Sequence, residues 1–573
     1  MQGFIKLLVM ITKKRIPGKI AVVILMIVIF DTTTKAQQLS DSTTVQVNRL
    51  FEKWNKDNNP GCAAGIVKGN DLVYAKGFGL ANLEDETVNT PQTIFYMCSV
   101  SKQFAGYAIA LLARDGKLKL DDEIQHYLPW MQDFGKKITI RNLLNHTSGI
   151  RDDIGLSQYF GLNLDGMLTQ DLAIQILKRQ RTLNFTPGEK FSYSNSNYVL
   201  LAEIVKEVSK KTFRNYVDST IFKPLGMSSS KFVDDYSEII KNRAVSYQNN
   251  NGMFYNSPQN VYTLGDGGLF TNVNDMAKWV INFYNPKAGD LQDIKMMTTQ
   301  GKLSNGKTIN YAMGINVDSY RGQKRFIHNG GLAGYRTVIA VYPDLKMGFV
   351  VFGNGGDAEV YKKIDELSAL FIPSYEMPLQ GAAEPTVQTI VLKDSMEVNK
   401  WAGTYLAANG YKVSITSKGA ELLVNGSSAL APESANLFHI VSRPSVKYQF
   451  STDPKTKKTQ LLLITPALLK PMELSRVTEK PLSAAELSVY VGNYYSDELG
   501  CSFQIKQKGA ELLISNKRYN DSKVTLLDPD HLFTEYEFLS HILLRRDARN
   551  KILGFDLNSG ETMGLFFKKE KAE

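Results

Sequence analysis

The sequence contains few of the residues that build disulfides and metal sites. Only three cysteines and six histidines occur among 573 residues. The cysteines are odd in number and scattered, at Cys62, Cys98 and Cys501, so they predict no disulfide framework. We expect Cys98 to be a small buried hydrophobic residue. The histidines lie far apart and have no zinc-ligand spacing, so the sequence predicts neither a metal site nor a cofactor.

Long hydrophobic runs are also missing. The longest unbroken one covers 11 residues, from Ile20 to Phe30. A helix that spans a bilayer needs about 20 such residues. Basic residues precede the run, and Thr34-Lys35-Ala36 follows it as a cleavage site. We therefore predict a signal peptide over residues 1–36 and secretion into the periplasm or bacterial envelope. The alternative is an uncleaved signal that anchors the chain to the membrane.

Half of the excess positive charge lies in this N-terminal segment. The formal net charge is +10, and residues 1–36 hold six basic residues and one acidic residue, so the rest of the chain carries +5. Charge this dilute does not predict nucleic-acid binding. We expect the partner to be a small-molecule or peptide substrate, and the sequence leaves the oligomeric state open.

Three short polar motifs stand out against this background. They are Ser99-x-x-Lys102, Tyr193-Ser194-Asn195 and His328-Asn329-Gly330, in this order along the chain. Together they supply a nucleophile, two candidate bases, an amide that can bond to a substrate and a strand edge for an oxyanion. Acyl transfer through a covalent serine ester needs this combination of groups.

The surroundings of Ser99 distinguish it from the other serines with a lysine three residues later. Two such pairs, Ser228 with Lys231 and Ser304 with Lys307, lie in turn-forming stretches. After Ser99, apolar residues recur at the spacing of one helix face. The pattern predicts that Ser99 lies at the start of a helix, with Lys102 on the same face about one turn further on.

With these motifs the chain resembles the penicillin-binding protein and serine β-lactamase superfamily, in its class C-like branch. The resemblance covers roughly residues 45–372. Four further stretches support it: 143–149, 186–190, 224–227 and 267–269. There are two departures. The chain has no Lys-Thr-Gly, and His328-Asn329-Gly330 stands in its place. It also has no Ser-Asp-Asn, and Tyr193-Ser194-Asn195 takes that role, as in class C-like members.

The resemblance implies that Ser99 is the nucleophile. A serine hydroxyl is weak unless a neighbour takes its proton. Lys102 could do so directly, or its charge could hold Tyr193 as a phenolate, and the sequence does not decide between them. His146 follows a helical stretch, and we expect it to make a structural hydrogen bond because the motifs already fill the catalytic roles.

The remaining motif residues are expected to bind the substrate. Asn195 would bond to its amide, and His328 and Gly330 would line the pocket. The backbone N–H groups of Ser99 and Gly331 would form the oxyanion hole. His328 is mostly neutral near pH 7, where a lysine would carry a charge for a substrate carboxylate. This favours amino-terminal amides or esters over β-lactams and carboxypeptidase substrates.

The predicted fold is a β-lactamase/transpeptidase-like α/β domain, with an antiparallel sheet flanked by helices, over residues 37–375. Its first helix is predicted over Val45–Trp54, followed by a strand pair over Cys62–Val67 and Leu72–Gly77. A proline-containing linker is expected over residues 376–396.

The remainder contains an internal repeat. Trp401–Tyr405 is echoed by Tyr490–Tyr494, and the six residues Lys418–Leu423 recur identically at Lys508–Leu513. An offset of this length predicts two tandem domains. Short alternating strands predict two small antiparallel, lipocalin-like β-barrels, over residues 397–480 and 481–573.

We therefore predict an exported serine hydrolase that acts on amide or ester bonds. Bacterial D-aminopeptidases have a similar architecture, which implies D-amino-acid peptides or amides as substrates, with small esters as another choice. One alternative is a β-lactamase or DD-carboxypeptidase. Another is a penicillin-sensing or glycan-binding protein that is acylated without turnover. The barrels could restrict substrate length as a lid, or serve as spacers or docking modules.

Overall fold

The computed structural model describes residues 38–162, 166–373, 398–407, 411–419, 421–465, 471–477, 483–527, 529–559 and 562–571. The predicted signal peptide, 1–36, and the predicted linker, 376–396, lie outside these residues. Within the described part of the chain, no helix combines the length and apolar character needed to cross a membrane.

The first domain is built on one six-stranded antiparallel sheet. Its strands are β1 (Cys62–Lys68), β2 (Asp71–Phe78), β3 (Asn316–Tyr320), β4 (Gln323–Leu332), β5 (Tyr335–Tyr342) and β6 (Met347–Gly353). They are ordered β3-β4-β5-β6-β1-β2, so the first hairpin of the chain pairs with the last strand. The predicted antiparallel sheet is confirmed.

The first domain also contains helices. They are α1 (Asp41–Phe51), α2 (Lys102–Arg114), α3 (Ile140–Leu144), α4 (Asp153–Tyr159), α5 (Gln170–Arg179), α6 (Asn195–Ser209), α7 (Phe213–Val217), α8 (Lys223–Leu225), α9 (Val273–Asn282), α10 (Leu291–Met297) and α11 (Val360–Ala369). Helix α9 packs on β1 and β6, whereas α11 packs on β5 and β6 and also meets α1. Gly65 of β1 permits this closeness, since a methyl group there would lie 2.5 Å from a Val273 side-chain carbon.

Shorter elements connect these helices and strands. Short 3₁₀ turns occur at Glu52–Trp54, Cys98–Ser101, Ile124–His126, Pro343–Leu345 and Glu537–Leu539, and a π-helical turn at Asp218–Phe222. The short strands are Leu80–Asn82, Thr87–Val88, Phe95–Tyr96, Leu168–Thr169, Lys231–Phe232, Tyr247–Asn250, Met253–Asn256, Val261–Tyr262 and Leu269–Thr271.

Two closed eight-stranded antiparallel barrels follow. The first barrel consists of β7 (Gly403–Ala407), β8 (Lys412–Lys418), β9 (Glu421–Val424), β10 (Ser428–Pro432), β11 (Leu437–Ile440), β12 (Arg443–Thr452), β13 (Thr459–Ile464) and β14 (Met472–Val477). The short helix α12 (Ala484–Ser488) precedes the second barrel, which consists of β15 (Gly492–Ser496), β16 (Cys501–Lys508), β17 (Glu511–Ser515), β18 (Ser522–Leu526), β19 (His531–Thr534), β20 (His541–Arg546), β21 (Ile552–Ser559) and β22 (Thr562–Lys569). The predicted fold class is confirmed, while the domain boundaries stay a prediction.

The repeated sequence motif has the same structural role in both barrels. The hydroxyl of Tyr405 donates to the carbonyl of Trp401, and that of Tyr494 donates to the carbonyl of Tyr490, at 2.8 and 2.6 Å. Both tyrosines are fully buried. Each hydrogen bond ties the first strand of a barrel to the segment before it, because the donor and the acceptor lie four residues apart.

Candidate active site

Ser99 lies in the sharp turn that leads into α2. The 3₁₀ turn Cys98–Ser101 runs directly into α2, which begins at Lys102, so Ser99 precedes the α-helix rather than opening it. Cys98 has a φ angle of +50°, a left-handed conformation that a non-glycine residue rarely adopts. Cys98 is buried, as expected, and burial raises the pKa of its thiol to about 12. The turn leaves Ser99 partly exposed.

Lys102 joins the first two motifs. Its Nζ donates to Ser99 Oγ at 3.2 Å, to Asn195 Oδ1 at 2.8 Å and to the carbonyl oxygen of Asp266 at 2.8 Å. An ammonium group has three hydrogens, and three acceptors surround this one. Lys102 is fully buried, so these acceptors replace the water that it has lost.

Tyr193, the other candidate base, lies beside the same ammonium group. The centre of its ring is 4.9 Å from Lys102 Nζ. Burial raises the pKa of Tyr193, while the charge of Lys102 opposes that rise. The Tyr193 hydroxyl is buried and has no hydrogen-bond partner among the described residues. Of the two candidate bases, Lys102 contacts the Ser99 hydroxyl directly and Tyr193 lies beside Lys102, so the choice between them stays open.

His146 organises the loop that carries Tyr193. It is fully buried, and its Nδ1 accepts from the backbone N–H of Ser194 at 3.2 Å and lies 3.1 Å from Asn197 Nδ2. Its ring lies on that of Tyr193, with the centroids 4.2 Å apart. Burial, followed by the charge of Lys102, lowers the pKa of His146 well below its usual value. His146 thus makes the structural hydrogen bond expected of it, as a neutral ring.

Asn195 is the first residue of α6, and a carboxylate holds its amide in place. Asp152 Oδ2 accepts from the backbone N–H of Asn195 at 2.6 Å and from its Nδ2 at 2.9 Å. The amide oxygen therefore faces Lys102, which can only donate. Among the described residues the second Nδ2 hydrogen has no acceptor, which leaves it for a substrate, as the predicted role of Asn195 requires.

His328 lies on β4 and is buried. Its Nδ1 is 2.7 Å from the carbonyl oxygen of Asn329, and its Nε2 is 2.9 Å from the hydroxyl of Tyr311. A carbonyl oxygen only accepts, so Nδ1 carries the proton and Tyr311 donates to Nε2. Burial, followed by the charge of Lys102, lowers the pKa of His328 to about 3. The side chain is therefore neutral at physiological pH.

Strand β4 passes directly beside the turn that carries Ser99. A methyl group on Gly330 would lie 2.6 Å from the Met97 carbonyl oxygen and 2.7 Å from Cys98 Cβ, so only glycine fits there. A methyl group on Gly331, the next residue, would have the Arg336 side chain as its nearest neighbour, at 3.6 Å. This close approach is compatible with an oxyanion hole made by Ser99 and Gly331, which stays a prediction.

Sequence reasoning missed several residues that support the motifs. They are Asp152, Asp266 and Tyr311, which contact Asn195, Lys102 and His328 respectively. Asp152 caps the N-terminus of α4. An acidic residue before a helix is a recognisable cap signal, but its contact with a residue 43 positions away is tertiary. Tyr311 has no such signal. Among the described residues, no group of three or more histidine, cysteine or acidic side chains could hold a metal ion.

Comparison with known proteins gives one family and several relatives. The family model described as Beta-lactamase matches residues 47–371. Penicillin-binding protein 4* from Bacillus subtilis is 25% identical over 445 residues, which are 72% of this chain and 95% of the relative. A D-aminopeptidase from Brucella anthropi is 25% identical over 458 residues, which are 79% of this chain and 82% of the relative.

Solved structures show the same fold at low identity. An octameric penicillin-binding protein homologue from Pyrococcus abyssi aligns with a TM-score of 0.52 and 24% identity, and the alignment covers 76% of this chain and 99% of that chain. A D-amino acid amidase from Ochrobactrum anthropi aligns with a TM-score of 0.50 and 17% identity, over 58% of this chain and 99% of that chain.

Proposed function

The chain belongs to the β-lactamase family of serine hydrolases, and from this premise we propose that it hydrolyses amides or esters of D-amino acids through an ester on Ser99. The observation that carries the proposal is the position of Lys102 Nζ, 3.2 Å from Ser99 Oγ and 2.8 Å from Asn195 Oδ1. This contact joins the nucleophile, a candidate base and the amide that would face the substrate.

The reaction is a double displacement at the acyl carbon. Ser99 Oγ forms a bond to that carbon while Lys102 or Tyr193 takes the hydroxyl proton. The bond to the amine or alcohol then breaks, and the leaving group takes up a proton. Water hydrolyses the ester in a second step, which releases the acid and restores Ser99. The predicted oxyanion hole at Ser99 and Gly331 would stabilise the charge in both steps.

The neutral state of His328 supports the choice of substrate. Its pKa of about 3 leaves no positive charge on this side chain for a substrate carboxylate. The loss of a charged hydrogen bond costs about 1.5–3 kcal/mol, so carboxylate-bearing β-lactams should react more slowly. The relatives named D-aminopeptidase point in the same direction. We propose a small-molecule or peptide substrate, met outside the cytoplasm after export through the signal over residues 1–36.

A side-by-side hydrolysis assay tests this function. The substrates are a D-alanine anilide, a short-chain p-nitrophenyl ester and a chromogenic cephalosporin. We expect the first two to be turned over faster than the cephalosporin. Ser99→Ala should lower each rate by at least about a thousandfold, because loss of a serine nucleophile removes the covalent route.

Ser228→Ala is the matched control, because Ser228 also has a lysine three residues later but lies in an exposed turn. It should retain full activity. If Ser99→Ala keeps most of the activity, the assignment is wrong. If the cephalosporin is the fastest substrate, the enzyme is a β-lactamase. A single burst without turnover would indicate a protein that is acylated and stalls.

A further inference from the structure

Helix α4 lies between the candidate active site and the second barrel. It has seven residues, Asp153–Tyr159, and Asp152 caps its N-terminus. The N-terminal end contacts the residues around Lys102, and the C-terminal end contacts loops of the second barrel. A displacement of this short helix would therefore reach both regions at once.

At the N-terminal end, the two carboxylate oxygens of Asp152 accept hydrogen bonds from different elements. Its Oδ1 accepts from the backbone N–H of Gly155 at 2.8 Å, which caps α4. Its Oδ2 accepts both donors of Asn195, at 2.6 and 2.9 Å. Asn195 Oδ1 is in turn the acceptor for Lys102 Nζ. The orientation of this amide, and hence of the ammonium group, depends on where α4 places Asp152.

At the C-terminal end, side chains of the second barrel hold the helix. The hydroxyl of Tyr519 donates to the carbonyl of Gln158 at 2.6 Å, and Asn516 Nδ2 donates to the carbonyl of Tyr159 at 3.2 Å. The ring of Phe538 lies between those of Tyr519 and Tyr159, with centroids 4.7 and 5.7 Å away. The last turn of α4 is thus packed on the barrel.

An ion pair fixes the residue just before Asp152. Arg151 has a fully buried side chain, and its Nη1 lies 3.0 Å from Glu498 Oε2 of the second barrel. Its Nη2 also donates to the carbonyl of Met563, in the last strand of that barrel, at 2.8 Å. A buried cation needs such partners, since removal of one leaves an uncompensated charge. The second barrel therefore fixes both ends of the segment from 151 to 159.

We propose that the second barrel positions the active site, with Asp152 as the positioning residue and with Glu498 and Tyr519 as the barrel groups that hold it. The proposal rests on the proposed function, because it concerns the same nucleophile. Asp152 acts through Asn195 and Lys102. The consequence is that the rate per active enzyme molecule depends on contacts made by a domain that does no chemistry.

The first experiment is Asp152→Asn in the full chain. An asparagine keeps one oxygen for the Gly155 cap but presents an N–H group to the donors of Asn195. Loss of a charge-assisted hydrogen bond should lower kcat for the ester by about tenfold to a hundredfold. The KM should change little. The rate is divided by the number of sites that a fluorophosphonate titrates, so a misfolded fraction does not count.

The second experiment addresses the barrel. Glu498→Gln removes the charge opposite Arg151, and Tyr519→Phe removes only the hydroxyl that contacts Gln158. Each should lower kcat per titrated site several-fold. Glu511→Gln is the control, because Glu511 pairs with Lys523 at 2.9 Å on the same barrel with half of its side chain exposed. It should leave kcat unchanged.

The outcomes separate the two proposals. A fall in kcat per titrated site in Asp152→Asn and in at least one barrel variant, with KM retained, supports the positioning role. Unchanged kcat per titrated site in all soluble variants overturns it, even if their melting temperatures fall. If Glu498→Gln is insoluble, Tyr519→Phe decides, because it keeps the ring in place. If Ser99→Ala is as active as the wild type, the proposed function itself fails.

Discussion

The two barrels share a fold and a repeated sequence, yet among the residues that the structure describes only the second barrel packs into the same core as the catalytic domain. The buried apolar residues of the first barrel form a cluster of their own. Those of the second barrel belong to the same cluster as the core around α2. The stretches that the barrels share, such as Lys508–Leu513, build the barrel itself. The contacts to the catalytic domain come from Glu498, Tyr519 and Phe538, outside the repeat. The loops, and not the shared barrel strands, therefore determine whether a barrel packs against the catalytic domain.

Removal of the second barrel should cause the largest loss of folded, active enzyme. A chain that ends after residue 482 keeps the first barrel but loses the partners of Arg151 that Glu498 and Met563 supply. Breaking a buried ion pair from one side costs about 3–5 kcal/mol, and the aromatic surface of α4 would also be exposed. We expect little soluble protein and almost no titratable sites. A soluble truncated enzyme with full activity per site would show that the catalytic domain does not need the second barrel.

A matched pair of core substitutions should cause a smaller loss of stability. Tyr405→Ala and Tyr494→Ala remove equivalent, fully buried tyrosines from the two barrels. Each should destabilise its own barrel by about 3–5 kcal/mol, as large-to-small core changes do. Because the contacts to α4 come from the second barrel in the described part of the chain, only Tyr494→Ala should lower the temperature at which hydrolytic activity is lost. Equal losses in the two variants would contradict the difference between the barrels.

The pH dependence of stability should show the smallest effect. Burial, followed by the charges of Asp152 and Asp266, raises the pKa of Asp153 well above its usual value. Above pH about 4 the folded state then holds a proton that the unfolded state has lost, so stability falls as the pH rises towards the raised pKa. Asp153→Asn removes this dependence.

The measurement is the melting temperature of Asp153→Asn and of the wild type from about pH 5 to pH 8. The melting temperature of the variant should rise relative to that of the wild type as the pH rises. This would show that the buried carboxyl group at the first turn of α4 lowers the stability of the folded state as it loses its proton. Parallel curves would mean that Asp153 has an ordinary pKa and that α4 carries no such cost.

Local patterns predicted the elements of the fold well. The expected strand pair Cys62–Val67 and Leu72–Gly77 is extended by one or two residues, to Cys62–Lys68 and Asp71–Phe78. The first helix begins at Asp41, four residues before the predicted start, because the cap is Ser40, whose hydroxyl accepts from the backbone of Thr43. The apolar spacing that drove the prediction does not include that polar first turn.

The candidate site could be predicted only in part. Ser99, Lys102, Tyr193 and Asn195 stand in short motifs, and the structure brings them together. The partners that orient them are distant in sequence and have no motif. Asp152 reaches Asn195 through tertiary folding. The contacts that the second barrel makes with α4 come from loops that differ between the two barrels. Hydrophobic periodicity contains no information on such contacts, because it reports burial and not the identity of the neighbour.

The central claim is a covalent ester on Ser99, and one measurement tests it directly. The full chain is mixed with a D-amino-acid ester, quenched in acid within the first turnovers and analysed by mass spectrometry. We predict one acyl group per chain, located on the peptide that contains Ser99, absent from Ser99→Ala and present in Ser228→Ala. An acyl group on another residue, or an unchanged adduct in Ser99→Ala, would contradict the account.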